Sequence, residues 1–226
     1  QALESNAILV HENLGQYKVT GETIYPEPGA NIAHRVKIRK GDMEKAWAAS
    51  EVVVEASYLL PQSDHAPMET RSVRVKILPD GRVIVSVTSQ GPYAVKEQLS
   101  RHFQIDPGKI IVHTPLVGGA FGGKTPVQLE FIAYLAARAV GGREVQLTNT
   151  RENDIASSPG HIGLDATVKL GATKSGKIVA AEMTYLVDAG AYADTAPKMA
   201  KAMSAQCTGP YNIENVSCDS LCVYTN

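Results

Sequence analysis

The sequence predicts an α+β protein, with mixed and antiparallel sheets built from hairpins and with helices packed on them. Three observations carry that prediction: two separate hairpin patterns, apolar residues at helical spacing between and after them, and no regular strand–helix–strand alternation of the kind that builds a doubly wound sheet. With 226 residues, 44% hydrophobic and 20% charged, the chain can bury a sizeable core.

In chain order, residues 1 to about 40 read as irregular, with Pro26, Pro28 and Gly29 in a turn-rich patch. Residues 1–45 are therefore expected to be a connecting arm or the tail of a preceding domain, and residues 46–226 a domain. Asp42 is placed to cap a short helix over 43–49, in which Trp47 reads as core, and an apolar strand follows over 52–60. Val73, Val75 and Ile77 alternate with Arg74 and Lys76, Pro79-Asp80-Gly81 turns, and Val83, Val85 and Val87 return as the second arm of a hairpin. Val95, Leu99 and Phe103 recur every four residues, which predicts a helix from about Tyr93. Ile110-Ile111-Val112 reads as a strand, and the stretch 127–140 as a helix apolar nearly all round and so buried. Ile162 to Leu170 alternate, Lys174-Ser175-Gly176-Lys177 turns, and residues 178–187 return as a second long hairpin.

Composition excludes several function classes. A formal net charge of -1 gives no basic excess for nucleic acid or an anionic membrane surface. No apolar stretch is long enough to span a membrane. Residues 1–6 lack a basic region followed by an apolar one, so no secretory signal is expected; they also lack an initiator Met, and a processed or excised chain is expected. Three cysteines, Cys207, Cys218 and Cys222, form neither a closed disulfide set nor a zinc pattern, which points to reduced thiols in the cytoplasm. His11, His34, His102, His113 and His161 show no ligand spacing, and no residue is assigned as a metal ligand.

The chemistry concentrates in one segment, Gly118-Gly119-Ala120-Phe121-Gly122-Gly123-Lys124-Thr125. A strand, a glycine loop and a helix in succession bring backbone N–H groups to a helix start, where an anion binds well. The segment fits G-x-x-x-x-G-K-[ST], in which Lys124 would reach nucleotide phosphates and Thr125 would hold Mg²⁺. An apolar run ending in acid, Tyr185-Leu186-Val187-Asp188, is available as the second nucleotide motif. Against a nucleotide-binding protein stands the context, because two hairpin-like elements precede the loop in place of a central parallel strand.

The same residues resemble the GGxFGGK loop of the molybdenum hydroxylases, and the resemblance extends from Lys40 to Asn226. Lys40-Gly41-Asp42, His65-Ala66-Pro67-Met68-Glu69, Thr88-Ser89-Gln90, Asp188-Ala189-Gly190-Ala191-Tyr192 and Gly209-Pro210-Tyr211-Asn212-Ile213 stand in the order found in the molybdopterin-binding large subunits of the xanthine dehydrogenase/aldehyde oxidase family. Gln90 and Phe121 are 31 positions apart, as in that family. The resemblance implies a cofactor-binding set of Gln90, Gly118, Gly119, Ala120, Phe121, Gly122 and Gly123. Gln90, at a strand end, would donate its amide toward the molybdenum centre while accepting from elsewhere. The glycines would admit the cofactor close to the backbone. Lys124 would then be a solvated or ion-paired lysine, and His65 with Glu69 a structural pair near the site. The parent reaction would be oxidative hydroxylation of an aldehyde, an N-heteroaromatic or a related small molecule. Its electrons would leave through iron–sulfur clusters and FAD on partner domains or subunits.

Two positions depart from the xanthine-oxidising members. Where those carry a substrate-engaging glutamate this chain has Thr125, and where they carry an arginine it has Ala202, which argues against xanthine as substrate. The family's RGFG-like segment and its general-base glutamate have no counterpart in these residues. No catalytic residue is therefore assigned, and one wall of a molybdopterin site is expected, with the second half of the molybdopterin subunit as partner and no turnover by the chain alone. A non-catalytic structural or assembly fragment is the remaining alternative.

Overall fold

The computed structural model describes residues 2–11 and 29–225, so Pro26 and Pro28, expected in a turn-rich patch, lie outside the described residues. The chain divides into two compact units, one contiguous over 64–161 and one made of residues 1–63 with 162–226. The predicted α+β class holds in both.

The discontinuous unit contains β1 (Ile32–Lys40), α1 (Met43–Ala48), β2 (Val52–Leu60), β7 (Gly163–Ala172), β8 (Ile178–Asp188), α5 (Ala196–Ala205) and β9 (Asn215–Val223). Its five strands run in the order β1-β9-β8-β7-β2, antiparallel except for the parallel pair β8–β9. Asp42 caps α1 as expected, its side chain accepting the Lys45 N–H at 3.1 Å. The expected 162–187 hairpin forms as β7–β8, with Gly176 left-handed (φ +89°) in its turn. Trp47 is half-buried rather than core: Gly171 backs onto its ring, and the Lys169 ammonium stands 5.0 Å from the ring centroid. Cys218 and Cys222 are fully buried on β9 as free thiols.

Residues 32–40, expected to be irregular, form β1. Arg35, Lys37 and Arg39 alternate outward while Val36 and Ile38 are more covered. The strand forms because its partner lies at the other end of the sequence, with Val36 opposite Ser220 and Ile38 opposite Cys218. Asn31, buried just before it, accepts from Val10 N–H at 2.8 Å and donates to the Ile8 carbonyl at 2.9 Å, fixing the first residues of the chain.

The contiguous unit contains β3 (Ser72–Ile77), β4 (Val83–Val87), α2 (Pro92–Phe103), β5 (Ile110–His113), α3 (Leu129–Ala139), β6 (Val145–Thr148) and α4 (Arg151–Ser157). The predicted hairpin is β3–β4, and the sheet order is β5-β4-β3-β6. β4 and β5 are parallel and joined by α2, so one strand–helix–strand crossover is present that the hairpin reading did not foresee. β5 is nonetheless an edge strand. Alternation puts Val73, Val75, Val83, Val85 and Val87 in the core with Val95 and Leu99 of α2. α3 is not buried all round. Ala133, Tyr134 and Ala137 face the core, whereas Ile132 and Leu135 are 57% and 50% exposed, because a sheet covers only one side of it.

Candidate functional site

Four pieces of the contiguous unit meet around the glycine segment: the stretch 64–71 before β3, the end of β4 at Ser89-Gln90, the loop after β5, and α4. Gly119 and Gly122 are left-handed, at φ +94° and +98°, and so is Phe121 at +54°. Close approach constrains the other two glycines. A Cβ on Gly118 would lie 2.7 Å from the Glu69 Cβ, and one on Gly123 would lie 2.9 Å from the His65 ring. The loop is therefore pressed onto the segment His65-Ala66-Pro67-Met68-Glu69.

Hydrogen bonds fasten the loop at both ends. At its start the Glu69 N–H donates to the Gly118 carbonyl at 3.3 Å, and the Gly118 N–H donates to Glu69 Oε2 at 2.8 Å. At its end Lys124 donates from Nζ to the same Oε2 at 2.7 Å. Gln90 completes the fastening. Its N–H donates to the Lys124 carbonyl at 3.0 Å, and its Oε1 accepts from the Lys124 N–H at 3.2 Å and from the Thr125 hydroxyl at 3.4 Å. With Oε1 turned inward, Nε2 points the other way and makes no hydrogen bond among the described residues. The Gly119, Ala120, Phe121 and Gly122 N–H groups are also unpaired among the described residues. Four successive unpaired N–H groups, two of them on glycines, make this loop rich in free backbone donors.

Lys124 is ion-paired as one reading allowed, but it is buried rather than solvated. Its ammonium is committed to Glu69, so it cannot serve as the phosphate-binding lysine of a nucleotide loop. Desolvation pushes the Glu69 carboxyl up, but the bonds from Lys124 and Gly118 outweigh it and hold the pKa below the ordinary carboxylate value. His65 and Glu69 do not pair with each other. The His65 ring stacks on His161 at 3.9 Å between centroids, with its Nδ1 buried and unpartnered. Burial and then the neighbouring His161 lower its pKa, against an opposing pull from Asp64, so the ring is neutral.

Beneath the loop lies a buried charge network absent from the sequence reading. Arg71 donates from its N–H and from Nη1 to Asp154 Oδ1, both at 3.2 Å, and from Nη2 to the Gly123 carbonyl. Asn149 adds a 3.0 Å bond to the same Asp154 oxygen. Arg151 donates to the carbonyls of Pro67 and of Met68, the latter at 3.0 Å. A signal for α4 did exist in Thr150-Arg151-Glu152-Asn153, an N-cap residue followed by a polar turn; the Thr150 hydroxyl accepts the Asn153 N–H. Nothing local marks Arg71 as buried. Glu130, 5% exposed, has its carboxyl pushed up by desolvation while it accepts the Gln128 N–H at 2.7 Å.

The structure thus brings Gln90, Gly118 to Gly123 and Thr125 into one hydrogen-bonded assembly. Ala202 belongs to the other unit, exposed on α5. Phe121 is 69% exposed, with its ring lying over Gly119 of the same loop. Among the described residues no group of three or more His, Cys, Asp or Glu is arranged to hold a metal ion, and no helix is long and apolar enough to cross a membrane.

A family model described as Molybdopterin cofactor-binding domain matches residues 24–226. The chain is 31% identical over its whole length to a probable xanthine dehydrogenase subunit of Bacillus subtilis (strain 168), and it spans 28% of that relative's length. Among solved structures it is similar to the aldehyde oxidoreductase from Desulfovibrio gigas, with a TM-score of 0.82 and 25% identity, covering 99% of this chain and 23% of that one. It is equally similar to CO dehydrogenase from Oligotropha carboxidovorans, with a TM-score of 0.82 and 26% identity, covering 99% of this chain and 28% of that one.

Proposed function

The chain belongs to the molybdopterin cofactor-binding domain family, and from that membership we propose that it supplies one wall of the cofactor site in a molybdenum hydroxylase large subunit. The observation that carries the reading is the glycine loop clamped at both ends with its middle donors free. Gly119, Ala120, Phe121 and Gly122 would offer their N–H groups to the cofactor, while Gly118 and Gly123 keep the loop pressed on its support. Gln90 would present Nε2 toward the same group, since Oε1 is held by Lys124 and Thr125. The residues fit a large anionic cofactor: the free donors match its oxygens, and Lys124, already neutralised by Glu69, does not compete for it. The cofactor, when bound, supplies the two-electron redox chemistry of oxidative hydroxylation.

This chain's residues bind and orient; none is assigned proton transfer. Thr125 and Ala202 support a substrate other than xanthine, in the class of aldehydes and N-heteroaromatics. The second half of the molybdopterin subunit and the iron–sulfur and flavin domains or subunits would complete the enzyme, and the 226-residue chain alone would not turn over. A cytoplasmic location accords with three free cysteines.

The test is molybdenum and pterin content of the complete enzyme carrying Gly119→Ala and Gly122→Ala together. Both positions are left-handed, so an added methyl strains the loop backbone, and it would meet the Phe121 ring and Pro67 at position 119 and the His65 ring at position 122. Loss of most of the bound molybdenum is expected; full occupancy would refute the loop as the cofactor seat. In the unsubstituted enzyme, turnover of xanthine faster than of any aldehyde or other N-heteroaromatic would overturn the substrate assignment.

A further inference from the structure

We infer that Glu69 is a positioning residue that sets both the glycine loop and, through Lys124, the amide of Gln90. The inference rests on the loop being the cofactor seat. One oxygen, Oε2, receives Gly118 N–H at 2.8 Å and Lys124 Nζ at 2.7 Å, so a single atom joins the first and last residues of the loop. Lys124 is not a flexible partner. Its side chain is 1% exposed, and its backbone is bonded to Gln90 in both directions, N–H to Oε1 and carbonyl to N–H, with a third bond from the Ser89 hydroxyl.

The consequence is a chain of constraints. The Glu69 carboxylate fixes the Lys124 ammonium, the buried Lys124 fixes its own peptide, and that peptide fixes which way the Gln90 amide faces. The Lys124 charge is thereby spent on geometry rather than on a ligand. Charge-assisted bonds of this kind are among the stronger ones in proteins, and their removal leaves the partner charge stranded. Glu69 keeps one side toward solvent at 35% side-chain exposure, so the contact can open locally without disturbing the valine core beneath.

The test compares the 226-residue chain with its Glu69→Gln variant by amide hydrogen exchange and by the NMR signal of the Gln90 side-chain amide. Exchange at the hydrogen-bonded amides of Gly118, Gly123, Lys124 and Thr125 should rise about tenfold, which converts to ~1.4 kcal/mol, and the Gln90 Nε2 resonances should shift. Amides of β3 and β4 should stay unchanged. Unchanged exchange at those four amides would overturn the inference, and so would an equal rise throughout 64–161, which marks a merely structural role. Should Glu69→Gln fail to fold, Lys124→Met, which removes the other end of the bond, is measured by the same criteria. Molybdenum content of the complete Glu69→Gln enzyme separates the two levels. A loosened loop with less molybdenum supports both. A loosened loop with full molybdenum leaves Glu69 a positioning residue but refutes the loop as cofactor seat.

Discussion

Replacing Asp154 with Asn removes a charge at the most buried ion pair of the molecule's contiguous unit. Asp154 is 1% exposed and Arg71 7%, and Asp154 Oδ1 alone receives the Arg71 N–H, the Arg71 Nη1 and the Asn149 amide. Asn keeps the shape of the side chain but leaves the guanidinium without its counter-charge in a site closed to water. Breaking a buried pair on one side costs about 3 kcal/mol or more, which lowers Tm by on the order of 10 °C in a protein of this size. The comparison is Glu214→Gln, which removes one end of the exposed 3.3 Å pair with Lys177, whose side chains are 68% and 62% exposed. That change should cost less than ~1 kcal/mol. Urea unfolding of each variant, followed by circular dichroism at pH 7, supplies both values. A second signature is pH dependence. Desolvation pushes Asp154 up, but the bonds from Asn149 and Arg71 outweigh it, and its folded pKa lies below the ordinary 3.8. Its contribution is therefore present above that value and disappears as pH falls through the folded pKa, so the gap between wild type and Asp154→Asn should narrow in acid. An Asp154→Asn variant no less stable than Glu214→Gln would refute the assignment of Arg71–Asp154 as a buried, mutually dependent pair.

Three further outcomes follow from the geometry. Gly123→Ala would place a methyl 2.9 Å from the His65 ring, which also stacks on His161, and it should cost about 1–3 kcal/mol by overpacking. Its cost should exceed that of Gly176→Ala, a left-handed turn position with open space around it, and equal urea midpoints for the two variants would contradict the contact. Burial pushes the thiols of Cys218 up to about 11 and Cys222 up to about 12, so at pH 8 a thiol reagent should label half-buried Cys207 first. Cys218 should react on the order of 100-fold and Cys222 on the order of 1,000-fold more slowly than an ordinary thiol, and peptide mapping that finds all three labelled together would rule this out. Glu130 has its pKa raised by desolvation, so the folded state holds the proton more tightly than the unfolded one and stability from this group falls as pH rises past 4.5. Glu130→Gln should therefore gain on wild type as pH rises from below 4.5 to well above it, and a difference that stays flat throughout that rise would count against it.

Local chemistry was legible where it is self-contained. The β3–β4 and β7–β8 hairpins could be read because alternation and turn residues lie within one stretch, and α1 because Asp42 marks its start. β1 was not, since its edge is satisfied by β9, whose first residue lies far downstream, and its Arg and Lys side chains disguise the alternation. The exposed half of α3 was missed for a related reason: an apolar side chain shows that a surface can be buried, not that another element covers it. Within the site, the order of Gln90 and the glycine loop indicated that they meet. Spacing did not disclose Lys124 as buried or Glu69 as its partner, because a Lys and a Glu at that separation carry no signature until the loop folds back. Arg71 and Asp154 stayed hidden for the same reason.

The interrupted sheet has a consequence for how the chain is made. Arg39 and Asp219 form a diagonal ion pair across neighbouring strands but stand 180 residues apart. A ribosome adding about 5–20 residues per second delivers the second of these roughly 10–40 s after the first. Through that interval β1 has no β9 to join, and β2 has no partner until β7 is made, while residues 64–161 emerge as one uninterrupted stretch with their own valine core. Synthesis therefore produces the glycine loop early, on a finished support, and leaves β2 waiting for β7 and β1 for β9. Those waiting strands are where chaperones would be needed and where truncated chains would aggregate first.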